Sequence, residues 1–195
     1  MKIDEAKRLL SENGIAFEEK EYAALRDYMK HCCEFWREEY ATVPLDTRVK
    51  TLVVPCSNGK KDIELEFDEQ DGGFEFADLL FGSFSFEVIE FTPEGKTVEE
   101  TLMEYLTDLV DNKYTVLSVG MVGGGIVMDS YRPDVSMEDR EKILGAYRKA
   151  NSIIGKLFGR MHVAELYDRE HYSRVEFNDI LRAEATLAVR RWWNR

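Results

Sequence analysis

The 195 residues are 44% hydrophobic and 12% aromatic with a formal net charge of −12; the apolar share excludes a disordered chain. It suffices to bury roughly 70% of the unfolded surface, so residues 1–195 are expected to form a single globular domain. The acidity argues against nucleic acid or an anionic membrane as partner and favours a basic protein or the chain's own basic C-terminal part.

The charge is segregated. Residues 50–135 hold 18 acidic and 6 basic side chains, residues 1–49 hold 11 and 8, and residues 136–195 hold 9 and 12. No apolar run approaches the ~18 residues that span a bilayer, and the charged start Met1-Lys2-Ile3-Asp4-Glu5 leads into no apolar segment. A cytoplasmic location is expected. Cys32, Cys33 and Cys56 form no spaced pair, which argues against a disulfide framework, and the first two read as small core residues of a helix.

In chain order, a helix is predicted from Asp4 to Asn13 with Leu9 and Leu10 inward and Asn13-Gly14 as its left-handed stop. Ile15 and Phe17 lead into a second helix, whose stripe Tyr22, Leu25, Tyr28, Met29, Cys32, Phe35 and Trp36 runs to about Tyr40. Pro44 lies in the following linker.

The period then changes to 2. Asn58-Gly59 between two strand-like runs signals a hairpin turn with positive φ at both residues, which pairs Val54 with Ile63 and Leu52 with Leu65. Asp62, Glu64, Glu66 and Asp68 fall on the opposite face, and Pro55 marks the first strand as a sheet edge. After Asp71-Gly72-Gly73, at least one strand is expected in the aromatic stretch Phe74 to Phe91, where Phe84, Phe86 and Val88 alternate with polar residues and Val88-Ile89 suggests a bulge or a doubly covered strand.

Thr97-Val98-Glu99-Glu100 has capping-box spacing, and the stripe Val98, Leu102, Tyr105, Leu106, Leu109 and Val110 predicts a helix that Asn112 stops. Tyr114 to Val122, apolar on both faces, reads as a central strand, and Ile126 to Tyr131 as its partner across Gly123-Gly124-Gly125. Ser136 opens a helix with Ile143, Leu144, Tyr147, Ile154, Leu157 and Phe158 inward, ending near Gly159. Residues 161–172 fit a short helix or an edge segment. Ser173-Arg174-Val175-Glu176 has the spacing of a second capping box, predicting a terminal helix with Phe177, Ile180, Leu181, Leu187 and Ala188 inward. The expected class is α+β: a mostly antiparallel sheet of about five strands, formed by two hairpins and an aromatic-rich strand, covered by helices from both ends of the chain.

The sharpest chemical pattern is the alternation Asp62, Glu64, Glu66, Asp68. On a strand these carboxylates lie on one face at roughly 6 to 7 Å, too far to share a proton and too straight to wrap an ion. Neither the glycine nor the closing glutamate of a calcium loop is in place. The pattern fits a solvated face that protects an edge hairpin from pairing, or a docking ladder for a basic partner. Gly120 and Gly123-Gly124-Gly125 continue into a strand, which suits a turn and not a phosphate loop. His31, His162 and His171 belong to no metal-ligand set. A nucleophile at Cys56 or Ser130, with His171 as base and Asp129 or Asp168 orienting it, is chemically allowed, but no spacing selects it.

Trp192 and Trp193, between arginines at the chain end, are residue types of interface hot spots, or they complete the helix's own stripe. The leading expectation is therefore a non-enzymatic protein-binding module whose acidic sheet meets a basic partner, with no cofactor or metal. Size and charge are shared with small proteins that neutralise basic toxin domains. The alternatives are an aromatic-lined pocket for a small molecule, near Phe84, Phe86, Tyr105 or Tyr131, and a homo-oligomer formed through the C-terminal helix.

Overall fold

A computed structural model describes residues 1–22, 48–122, 126–133, 135–149 and 161–178. The class is α+β with antiparallel sheets: five strands in the order β1-β2-β3-β4-β5 and four in the order β7-β6-β8-β9. The chain divides into two compact units, Met1–Pro55 with Asp62–Tyr105, and Cys56–Lys61 with Leu106–Arg195.

The first unit opens with α1 (Ile3–Glu12), which buries Ile3, Ala6 and Leu10. Asn13 and Gly14 end it as the sequence predicts, with Gly14 in the left-handed region at φ 69°. The next segment departs from expectation: Glu18–Tyr22 is a strand, β1, paired with β2 (Val49–Val54). Its Glu-Glu-Lys-Glu-Tyr sequence has no apolar alternation, so cross-strand pairing and charge pairing carry it. Lys7 and Lys50 both meet Glu19, at 2.6 and 3.2 Å. The predicted helix from Tyr22 to Tyr40, with Cys32 and Cys33, lies outside the described residues apart from Tyr22.

β2 and β3 (Ile63–Gln70) pair in the predicted register, Val54 with Ile63 and Leu52 with Leu65. The turn chemistry differs: Gly59 takes φ 68°, whereas Asn58 keeps a negative φ and accepts the N–H groups of Lys60 and Lys61 through Oδ1. Pro55 does not mark an edge. It follows the last residue of β2, which lies between β1 and β3 and is buried at Val49 and at Thr51 to Val54.

β4 (Gly73–Phe81) returns after Asp71-Gly72, and β5 (Phe84–Ser85) pairs with its end. The apolar positions of β4 are spaced two, three and two apart because Ala77 is bulged out of register with β3. The bulge keeps Phe76, Leu79 and Phe81 on one face with Ile63, Leu65 and Phe67, all buried. The strand ends at Ser85, but the alternation expected through Val88 persists in burial: Phe86 and Val88 are buried and Glu87 is exposed, whereas Ile89 points to solvent.

Helix α2 (Val98–Val110) starts at the predicted capping box. The Thr97 N–H donates to Glu100 Oε2 at 2.9 Å, and the Glu100 N–H donates to Thr97 Oγ1 at 3.2 Å. Asn112, at φ 60°, follows its end.

In the second unit β6 (Tyr114–Met121) is central, flanked by β7 (Ile126–Pro133) and β8 (Met161–Tyr167), with β9 (Tyr172–Asn178) beyond. Helix α3 (Met137–Lys149) is capped by Ser136 Oγ, which accepts the Asp139 N–H at 3.1 Å. It packs Ile143, Leu144 and Tyr147 against Leu117, Val119, Ala164, Leu166, Val175 and Phe177. The ambiguous residues 161–172 thus become β8 and its hairpin loop. The second capping box is overturned, because Ser173 to Glu176 pair with Leu166 to Val163 as part of β9. Ile154, Leu157, Phe158, Gly159 and the helix beyond Asn178 lie outside the described residues. Among the described residues no helix is long and apolar enough to cross a membrane.

Candidate functional site

β3 presents Ile63, Leu65 and Phe67 to the core, so strand geometry turns Glu64, Glu66 and Asp68 to the other face. Directly opposed residues share a face. The pairing therefore builds a row of Lys20, Thr51, Glu66 and Asp78 across β1 to β4, with Val53, Glu64 and Leu80 in the next row and Val49, Asp68 and Glu75 in the one before. Neighbours within a row stand roughly 4.8 Å apart across the strands. The bulge at Ala77 is what puts both Asp78 and Glu75 here.

Because β3 is the middle strand of five, its carboxylates have no edge to protect. Nor are they fully solvated: Glu64, Glu66 and Asp68 are half-buried beside buried Val49, Thr51 and Val53. Burial pushes the Glu64 carboxyl above its usual range, the nearby Lys20 opposing and Asp62 reinforcing the rise. Burial raises Glu66 likewise, and the charges of Glu64, Asp78 and Asp68 add to it; burial alone raises Asp68. None of the three accepts a hydrogen bond or joins an ion pair within the described residues. The Thr51 hydroxyl in the same row is fully buried and also has no partner among the described residues. Asp78 is better served, accepting Ser85 Oγ at 2.8 Å and its neighbour's Leu79 N–H at 2.9 Å. Asp62 precedes β3, and its carbonyl accepts the Gly82 N–H. Trp192 and Trp193 lie outside the described residues.

The second unit holds a different polar cluster. Arg140 of α3 is buried, donates to Thr115 Oγ1 at 2.9 Å and pairs with Asp168 after β8. Burial lowers the Arg140 pKa against the opposing Asp168 charge. Asp168 also accepts the N–H groups of Glu170 and His171, each at 2.7 Å, and lies 3.1 Å from His171 Nδ1. Asn58 Nδ2 donates to the Asp168 carbonyl and Ser57 Oγ to the Arg169 carbonyl, so the 57–58 turn meets this loop. The Asp168–His171 pair thus exists, but Oδ2 of the carboxylate is paired with Arg140 and Oδ1 accepts the N–H groups that hold the turn together. That is the role of a loop clamp. Ser130 stands on β7 opposite Leu117, and Asp129 opposite Ser118. Nearby, burial would raise the Glu165 carboxyl, yet Lys61 at 2.8 Å and Tyr172 at 2.6 Å hold it below its usual range. Burial and that hydrogen bond push Tyr172 up to about 12.

The aromatic residues named for a pocket are divided. Phe84 packs edge-on against Phe86, and Phe86 at a tilt against Tyr105, in the first unit, whereas Tyr131 packs edge-on against Tyr114 in the second. Among the described residues no three metal-type side chains converge on a common point.

Sequence reasoning found Glu64, Glu66 and Asp68 but missed Thr51 and Asp78, whose membership of the row depends on strand order and on the bulge. Arg140 left a readable trace: it continues the stripe of Ile143, Leu144 and Tyr147 at helical spacing. Compared with known proteins, the chain matches no family model, no curated protein and no solved structure.

Proposed function

We propose that this chain is a non-enzymatic acidic protein-binding module whose β3 face receives a basic partner, such as a basic toxin domain that it neutralises. The observation that carries the reading is the trio Glu64, Glu66 and Asp68. They are half-buried on a central strand, form no ion pair among the described residues, and have their protonation equilibrium shifted by burial. Burying a carboxylate without a counter-charge is costly, and a guanidinium or ammonium group from outside relieves that cost. Opposite charge across the interface also accelerates association and penalises anionic competitors.

The test is binding to immobilised basic proteins by two charge-matched variants. One carries Glu64→Gln, Glu66→Gln and Asp68→Asn; the other carries Glu5→Gln, Glu12→Gln and Asp4→Asn, at three exposed acidic residues of α1. The first variant is expected to lose binding at least about tenfold, and the second to stay within about threefold of the parent. Association with the parent should slow steeply as salt rises. Equal losses in both variants would show that net charge alone drives binding and would remove the β3 face from the account.

A further inference from the structure

The segment after β5 is built around two inward and two outward apolar side chains. Phe86 and Val88 are buried, and the Phe86 N–H donates to the Leu79 carbonyl at 2.9 Å. The Phe91 N–H donates to the Glu87 carbonyl at 3.1 Å, and Thr92 Oγ1 to the Val88 carbonyl at 2.7 Å. This turn is therefore fastened to its sheet, and it leaves Ile89 53% and Phe91 64% exposed. A single exposed apolar residue is ordinary, but two large ones held out by one ordered turn are not. Around them Glu87, Glu90 and Glu94 are exposed and form no ion pair among the described residues.

We propose that Ile89 and Phe91 are the apolar anchors of the interface with a basic protein, whose surface offers an apolar recess rimmed by lysine or arginine. This rests on the basic-partner reading above and names the contact that would supply affinity. Interface energy concentrates in a few large apolar or aromatic side chains enclosed by polar residues, and a preformed turn loses little freedom on binding. The acidic rim fixes the sign of the partner. A second copy of this chain fits poorly, because a symmetric contact would set Glu87, Glu90 and Glu94 against themselves.

Two synthetic peptides of equal lysine content serve as probes, one an amphipathic leucine–lysine helix and the other with serine at every leucine position. Binding is measured by titration to the full chain and to an Ile89→Ser, Phe91→Ser variant, whose thermal melt should match the parent because both sites are exposed. The leucine–lysine peptide is expected to bind the parent at least about tenfold more tightly than its serine counterpart, and the variant should lose that margin. A margin that survives in the variant overturns the anchor assignment. So does a dimer in sedimentation equilibrium that the variant abolishes, since the occupant would then be a second copy. If the two peptides bind equally, and both weaken with Glu64→Gln, Glu66→Gln and Asp68→Asn, the anchors fail while the basic-partner reading stands. If neither peptide binds, both fail.

Discussion

Glu66 shows how one half-buried carboxylate can weaken the fold that holds it. Its carboxyl is raised chiefly by burial, so between the ordinary carboxylate range near 4 and its own higher value the folded chain holds a proton that the unfolded chain has released. Stability from this group is therefore full below that window and declines as pH rises through it. Glu66→Gln removes the decline. It should raise the stability at pH 7 by less than about 1 kcal/mol, because the site is half-exposed and screened, and should leave stability at pH 3 unchanged. Denaturant melts of parent and variant across pH 3 to 8 check this; a variant less stable than the parent at pH 7 would contradict an unfavourable carboxylate. Arg140 behaves oppositely. Its loss leaves the buried Asp168 without its guanidinium partner, so Arg140→Ala should cost about 3 to 5 kcal/mol in a urea titration. Arg140→Met with Asp168→Asn should recover part of that loss, since asparagine keeps an oxygen for the Glu170 and His171 N–H groups.

At the level of elements, local signals held where they were self-contained. The Thr97 box needs only residues 97–100, and both of its hydrogen bonds form. Thr97→Ala should therefore cost about 1 kcal/mol, while Glu100→Gln, which keeps an acceptor, should cost much less; thermal unfolding distinguishes them. Ser173 to Glu176 has the same spacing and is a strand. Alternation of Val175 and Phe177 toward the core, against exposed Arg174 and Glu176, decides between the two patterns, and pairing with β8 satisfies the backbone that a helix would otherwise satisfy. β1 illustrates the reverse case. No apolar period marks Glu18 to Tyr22, and the strand exists because β2 offers a free edge and Lys7 and Lys50 offer counter-charges.

On the scale of the whole molecule, the 195 residues distribute their strands over two antiparallel sheets in two compact units, where the sequence suggested one sheet of about five strands. Hairpin pairs and the central character of β6 were legible because alternation and turn residues are local. Which pairs join which sheet was not, since it depends on long-range edge pairing that no short window contains. The acidic stretch was likewise visible as a charge sum and as a one-face alternation. By itself the sequence determined that Glu64, Glu66 and Asp68 share a face opposite Ile63, Leu65 and Phe67, because a strand's side-chain period allows nothing else. Only the tertiary structure decided that this face belongs to a central strand, lies half out of water beside Thr51 and Asp78, and forms no ion pair among the described residues. Strand order and desolvation arise from residues distant in sequence, and they turn a row of carboxylates from ordinary surface into a group whose charged form burial disfavours.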